Sequence, residues 1–534
     1  MALAIVNPFR EMLAQDDAWI YARMVQHLLA TGHYQLDPAT AANMPVQIYL
    51  AAGLAKVFGY SLVLLRFTTL GLFVVALICL YLLLRELRNP AVVATLFTLA
   101  FLANPIVLLL SFAFMSDVQF IAWVLLAQLL YVRGIRRQSA WLLLGGSLAA
   151  GCAIGTRQFG IALIIGLLAA WIITNPDARP SLRLLIIALA IPCATAAAQV
   201  YFGVRTPNLV QTWRLRETHV YLTSPPLVLV HEVFWRLSLI TQYLAISLVP
   251  LLPISFVIAR RLWKERFGRV PLWVLSILGC AAIMLALWMS SSLTARPGAE
   301  HREGLWAPLE LIWLLPMQFA NFPAIMRLID LLGIVGAAPL LCIFFHGLKR
   351  LRSPRRLRPE TIFLIASGLG LLVLNMPYGQ LNDTYMAPMS IYVLLLMADL
   401  LTKNPPTRLE LRISTLSCVA VLLFMSIWMR AQYNYLEALW KSADTLQREG
   451  VAPADIAVNL HWQLYHGLFD TWIAAGHPVS TEDWYQKQRH QAHYLVGVAD
   501  RPEAPPGWQL LTFYEYRNVY LAKRYVTTLR RVAQ

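Results

Sequence analysis

Residues 68–84 read TTLGLFVVALICLYLLL, a stretch without a single charge that is closed by Arg85 and Arg88. A helix of about 20 such residues spans the hydrocarbon of a bilayer, and a basic closure marks where the chain leaves it. Similar runs recur near 61–84, 90–110, 118–133, 140–155, 159–174, 182–203, 236–259, 271–289, 326–346, 360–376, 384–401 and 412–429. They amount to about twelve spans. The 140–174 region also reads as one long broken element. Composition agrees, with 58% hydrophobic residues, 13% charged residues and a mean hydropathy of +0.58. A soluble chain could not hide so much apolar surface, whereas a bilayer solvates it directly. The expected fold class is an α-helical polytopic membrane protein.

The formal net charge of +16 does not point to nucleic acid. The basic residues sit in short loops between apolar runs, which is the pattern of a topology signal rather than a phosphate-binding stripe. The six cysteines, Cys79, Cys152, Cys193, Cys280, Cys342 and Cys418, all lie in apolar stretches, so neither a disulfide framework nor a zinc site is indicated.

One set of loops carries most of the charge: Arg85 and Arg88; Arg133, Arg136 and Arg137; Arg179 and Arg183; then the clusters at 260–269, 349–358 and 403–412. The alternate loops hold few cations, among them Arg157, Arg205, Arg214, Arg216, Arg296 and Arg302. By the positive-inside rule the first set is cytoplasmic. Residues 1–60 then form a first extracytoplasmic loop, 61–429 the transmembrane domain and 430–534 an extracytoplasmic domain. In that tail ADIAVNL, HYLVGVA and WQLLTFYEY read as short strands, with a helical stretch around Trp462 to Ala475, giving a small α/β domain. The chain is expected in a cell (cytoplasmic or inner) membrane as a multi-pass protein. Delivering residues 1–60 to the outside calls for an N-out insertion or a further helix upstream of Met1.

Polar chemistry concentrates in the external loops. The first contains AQDDAWIYARMVQHLLATGHY, where Asp16 and Asp17 precede an amphipathic run of Ile20, Tyr21, Met24, Val25, Leu28 and Leu29. On a helix, Arg23 lies about 20° behind Asp16 and His27 about 20° ahead, so one face presents a carboxylate, a cation and an imidazole. A plain helix cap is the simpler reading of either aspartate. Asp117, in LLLSFAFMSDVQFIAW, is an acid at the outer junction of two spans, where it serves a site or caps the next helix. Arg157 and Gln158 interrupt the apolar stretch CAIGTRQFGIAL, where the guanidinium would bind a lipid phosphate or snorkel to the surface. Arg296, Glu300, His301, Arg302 and Glu303 cluster before a Trp-bearing amphipathic run, which suits an anionic head group or a solvated loop. His461, Trp462 and His466 read mainly as packing residues of the tail. No nucleotide cradle, dinucleotide fingerprint or nucleophile elbow appears. A transferase built this way needs a donor that travels in the membrane.

This constellation resembles the GT-C superfamily of membrane glycosyltransferases, and within it the family 39-like enzymes, which include protein O-mannosyltransferases and lipid A aminoarabinose transferases. The residues that carry the resemblance are the acidic pair in DDAWIYAR, the following helix ending HLLATGHY, the acid in MSD and the late segment NDTYMAPMSIYVLL, with Tyr385 and Pro388 in matching places. Where the family usually has Arg before that Tyr, this chain has Thr384. Family members usually begin with a helix that delivers the acidic pair, which would bring this chain to about thirteen spans.

The resemblance implies a polyprenyl-phosphate sugar donor and inversion at the anomeric centre. It implies Asp16 as the base, Asp17 as its partner or alternative, and Asp117 as a positioning group. Arg157, Gln158, Arg296, His301, Arg302 and Tyr385 are the donor and phosphate candidates, with Arg23 and His27 on the face of the first helix. No cofactor is certain; a divalent metal, if used, would sit on Asp16 and Asp117. The acceptor is a lipid, a protein or a glycan, and membrane lipids are further partners. Two alternatives stand beside this reading: a multi-span transporter, and a polysaccharide polymerase or ligase using a diphosphate-linked glycan.

Overall fold

The computed structural model describes residues 1–13, 17–38, 43–175, 179–205, 225–267, 323–350, 357–376, 383–403, 405–468, 491–517 and 523–532, with a few isolated residues between them. The helices are α1 (Ala2–Val6), α2 (Ala18–Thr31), α3 (Pro45–Phe58), α4 (Leu62–Glu86), α5 (Ala91–Leu102), α6 (Pro105–Ser111), α7 (Ser116–Arg137), α8 (Ala140–Thr156), α9 (Ile161–Ile173) and α10 (Leu182–Arg205). They continue as α11 (Pro226–Ser247), α12 (Leu252–Phe267), α13 (Pro323–Arg350), α14 (Pro359–Asn375), α15 (Met386–Lys403), α16 (Arg408–Arg448) and α17 (Leu460–Tyr465). Every expected span other than 271–289, which lies outside the described residues, falls on one of them or, for 90–110 and 236–259, on a consecutive pair.

Among the described residues, α4, α7, α10 and α16 are each long and apolar enough to cross a membrane. Two bent pairs raise the number to six: α5 with α6 at 65°, and Arg236–Ser247 with Val249–Leu262 at 69°. Pro105 at the start of α6 and Pro250 in the Val249–Leu251 turn account for the breaks, because proline cannot donate to the preceding turn. The remaining apolar helices offer shorter stretches of 10–17 residues, Leu331–Gly347 within α13 among them. The expected break inside 140–174 is present, with α8 ending at Thr156 and a 3₁₀ turn, Gln158–Gly160, leading into α9.

A membrane helix is apolar all round, since one side meets protein and the other meets lipid. In α4, Leu65, Leu80, Leu83 and Leu84 are buried while Val74 and Ile78 are exposed. Burial ranks the spans: 78% of the apolar window of α7 is buried but only 22% of that of α10, so α7 is central and α10 peripheral. Close helix contacts depend on small residues. At Gly166 of α9 an added Cβ would meet Ser367 Oγ at 2.0 Å and Phe363 O at 2.7 Å on α14.

Side chains tie together loops of the same charge set. Arg133 Nε donates to Glu86 Oε1 at 2.6 Å, and Arg136 Nε to Glu360 Oε1 at 2.8 Å. Arg261 reaches Glu410 at 2.8 Å, where Glu410 also completes a capping box with Thr407 at the start of α16. The last span does not stop at the membrane boundary. α16 runs unbroken to Arg448, and the tail packs on its far half.

That tail contains a four-stranded sheet in the order β1-β2-β4-β3, from β1 (Ile456–Ala457), β2 (Tyr494–Ala499), β3 (Trp508–Arg517) and β4 (Lys523–Arg531). β1 pairs parallel with β2, and the other pairs are antiparallel. The three expected strands are present, and β4 joins them at the centre of the sheet. Trp462 is fully buried, and its indole N–H donates to Asp444 on α16 at 2.7 Å.

Candidate active site

The chain turns back on itself at one end of the helices, and those turns carry the polar residues. Met115, in extended conformation, opens α7 without a side-chain cap, which puts Ser116 and Asp117 in its first turn. Asp117 is completely buried. Arg157 is the extended residue that closes α8, and the Gln158–Gly160 turn follows at once. From there the guanidinium grips α7 by its fork. Nη1 lies 2.9 Å from Asp117 Oδ1, Nη2 3.1 Å from Oδ2, and Nε donates to Ser116 Oγ at 2.9 Å. This ion pair, with the Nη2–Oδ2 hydrogen bond inside it, orients the carboxylate against the end of α8. Arg157 is therefore more than a snorkelling cation, and Asp117 more than a cap.

The third contributor is the Asp383–Tyr385 turn that leads into α15. The Tyr385 ring lies 5.3 Å from the Arg157 guanidinium carbon and 5.4 Å from the Phe159 ring. The Thr384 side chain hydrogen-bonds to Asp117. At the position where the resemblance expects an arginine, this chain thus supplies a hydroxyl to the acid. Gln158 is exposed at the start of its turn.

α2 brings the first loop to the same place. Asp17 occupies its N-cap position but makes no side-chain cap bond. Its Oδ2 instead accepts a hydrogen bond from Tyr21 Oη at 3.3 Å. Tyr21 is buried with Ser116, Arg157 and Asp117 as polar neighbours. Burial, and next the Asp17 carboxylate, hold the phenol well above its ordinary pKa, with Arg157 opposing. Tyr21 consequently stays protonated and links the first loop to the Asp117–Arg157 pair.

The other expected residues take different places. Arg23 donates to Leu464 O at 3.4 Å, approaches Asp37 at 3.7 Å and lies over Trp19, so it joins α2 to the tail. His27 is half-buried one turn further along α2. Asp16, Arg296, His301 and Arg302 lie outside the described residues. Among the described residues no three His, Cys, Asp or Glu side chains group to hold a metal ion, and Asp117 is engaged by Arg157.

Two residues of the arrangement were not singled out from the sequence. Tyr21 was read only as part of an apolar face, although its hydroxyl is the polar end of that face. Arg66 is the second. It lies in α4, is 3% exposed, and donates to Phe112 O at 2.9 Å, to Arg10 O and Met12 O at 2.7 Å each, and to Pro8 O. It therefore binds the segment that leads to the acidic pair and the segment that leads to Asp117. Gln47 Nε2 reaches Phe114 O at 3.4 Å, and Tyr433 Oη donates to Phe112 O at 3.3 Å, so the second segment is held from three sides. A lone cation four residues into an apolar run was the signal available for Arg66.

Residues 41–201 match a family described as dolichyl-phosphate-mannose-protein mannosyltransferase. The chain resembles the GT-C membrane glycosyltransferases. The matched stretch contains Asp117, Arg157 and Gln158, and lies between the acidic pair and Tyr385. Similar solved structures include ArnT from Cupriavidus metallidurans in the apo state, at 15% identity over 99% of this chain and 96% of that one, with a TM-score of 0.42. The Archaeoglobus fulgidus oligosaccharyltransferase is 17% identical over 84% of this chain and 54% of that one, with a TM-score of 0.44. No curated protein matches the chain.

Proposed function

We propose that this membrane protein is an inverting glycosyltransferase that moves a sugar from a polyprenyl-phosphate donor to an acceptor on the extracytoplasmic side. The observation that carries the reading is the meeting of four distant segments at one end of the helices. Asp17 with Tyr21, Ser116 with Asp117, Arg157, and Thr384 with Tyr385 form one connected polar cluster. The family match to dolichyl-phosphate-mannose-dependent enzymes supports the donor class.

In this mechanism the acceptor hydroxyl oxygen bonds to the anomeric carbon as the carbon–oxygen bond to the lipid phosphate breaks. The hydroxyl proton passes to a carboxylate, and the leaving electrons stay on the phosphate. Asp16 is the proposed base, with Asp17, steadied by Tyr21, beside it. Asp117, Ser116's neighbour on α7, is engaged by Arg157, which suits it to orient sugar or acceptor. Arg157 draws the departing phosphate, with Tyr385 stacked behind it. Gln158, Arg296, His301 and Arg302 remain candidate donor contacts, and Arg23 and His27 candidate acceptor contacts. Should a divalent metal take part, Asp16 and Asp117 would hold it.

The test is transfer of radiolabelled sugar from a polyprenyl-phosphate donor to membrane acceptors, using proteoliposomes of the full chain. Wild type transfers, and Asp16→Asn and Asp117→Asn do not. Solute uptake without transfer, or full activity in Asp16→Asn, would overturn the reading.

A further inference from the structure

A cavity of about 870 Å³, lined by none of the Asp117–Arg157 cluster, lies between α1, the outer part of α16 and strand β3. Its polar rim includes Arg430, Glu437, Lys441 and Arg517, and its apolar wall includes Ile5 and Ile427. A smaller cavity of about 390 Å³ adjoins it, shares Ile5 and Arg430, and reaches Phe9 and Arg10.

The charges in this place do not cancel. Glu437 is held by Arg10 at 2.7 Å and by Lys441 at 2.9 Å, and Glu515 is held by Lys523 at 3.2 Å. Among the described residues Arg430 and Arg517 have neither an ion-pair nor a hydrogen-bond partner, and the charge felt between Arg430 and its neighbour Arg10 is of like sign. Two exposed guanidinium groups thus face one cavity with every described acid in its lining already engaged.

The cavity's level in the membrane narrows the ligand. The apolar stretch of α16 ends at Met429, and Arg430 is the first charge after it, at the boundary between hydrocarbon and water. In the apolar stretch before it Phe424 is 52% and Ile427 49% exposed, and Leu3 (54%) and Phe9 (70%) line the adjoining cavity with Arg430. A ligand that fits has an anionic head at the height of the arginines and acyl chains at the height of these side chains. Arginine forks match phosphate oxygens two at a time.

We propose that this cavity binds the phosphodiester head group of an anionic membrane phospholipid, with Arg430 from α16 and Arg517 from β3 as its two ligands. Bound there, the lipid joins the last span, the tail sheet and the N-terminal helix at the bilayer surface. The proposal is independent of the sugar-transfer reading, because the binding is measured without donor or acceptor.

Native mass spectrometry of the detergent-purified full chain, titrated with phosphatidylglycerol or phosphatidylcholine, provides the test. Wild type retains phosphatidylglycerol in preference to phosphatidylcholine. Arg430→Gln and Arg517→Gln each weaken that binding roughly fivefold, and the double variant about 25-fold. Arg501→Gln, a surface change in the same domain, leaves it unaltered, and excess inorganic phosphate does not displace the lipid. Equal retention by wild type and the double variant would refute the site. So would equal binding of the two lipids, while displacement by inorganic phosphate would make it a site for soluble anions instead.

Discussion

The two ends of α7 carry ionic clusters of opposite character. In the last two turns Arg133 and Arg136 meet Glu86 and Glu360, two cations against two acids. In the first turn Asp117 meets Arg157, and hydroxyl-bearing side chains from α7 itself and from two other segments surround the pair. Both ends suit the helix dipole, acid at the start and base at the finish, so the dipole does not distinguish them. The partners do. The basic end closes upon itself and joins α4, α7 and α14 into a bundle. The acidic end is fully buried at Asp117, gathers turns rather than helix sides, and has a second acid, Asp17, one tyrosine away. A saturated cluster holds structure, whereas a cluster of turns with an additional carboxylate is what the proposed transfer calls for.

The sharpest way to break the contrast is Asp117→Asn. Transfer is expected to fall by about 10³-fold, as when a positioned electrostatic group is removed. The unpaired Arg157 would also cost about 3 kcal/mol of stability, because its partner's charge is gone from a buried place. Adding Arg157→Gln should restore much of the melting temperature and none of the transfer; recovery of both would make the pair merely structural. Arg157→Lys keeps the charge but loses the fork, and a loss of about 100-fold in kcat/KM is expected with melting nearly unchanged.

At the other end, Arg136→Gln should lower stability by roughly 2 kcal/mol, since Glu360 is left buried with less pairing. Its kcat should stay near wild type in the same preparation. A selective loss of kcat there would erase the distinction between the ends. A smaller effect sharpens the acidic end: Tyr21→Phe should reduce kcat about tenfold while KM holds, by freeing Asp17.

The tail gives the weakest signal. Burial lowers the His466 pKa from its ordinary 6.5, with Asp444 opposing. The unfolded imidazole therefore takes up its proton first, and stability declines as pH falls below about 6.5, levelling only beneath the folded value. His466→Gln should flatten that decline by a few tenths of a kcal/mol, the partly exposed ring being screened by solvent. Melting curves between pH 5 and 7 with identical slopes for both proteins would deny His466 this role.

Much of the architecture is legible in hydropathy, because a bilayer imposes a nearly uniform apolar length on each span. The runs at 61–84, 118–133 and 182–203 became α4, α7 and α10 almost residue for residue. β4 escaped notice because its sequence, KRYVTTLRR, places charges at both ends of a short apolar centre. The candidate site was legible as parts. DDAWIYAR, MSD, TRQ and NDTY each stood out as polar groups at an apolar junction, but nothing in their spacing says that they touch.

By itself, then, the sequence determined that this chain lives in a bilayer, roughly where it crosses, and which side chains are costly enough there to require a purpose. Those properties follow from the free energy of transferring each residue, which is local. Only the tertiary structure decided that Arg157 spends its charge on Asp117, that Thr384 stands in an arginine's place against the same acid, and that Arg66 holds two loops by their carbonyls. These contacts join residues dozens to hundreds of positions apart, through helix crossings and turns that no local pattern encodes.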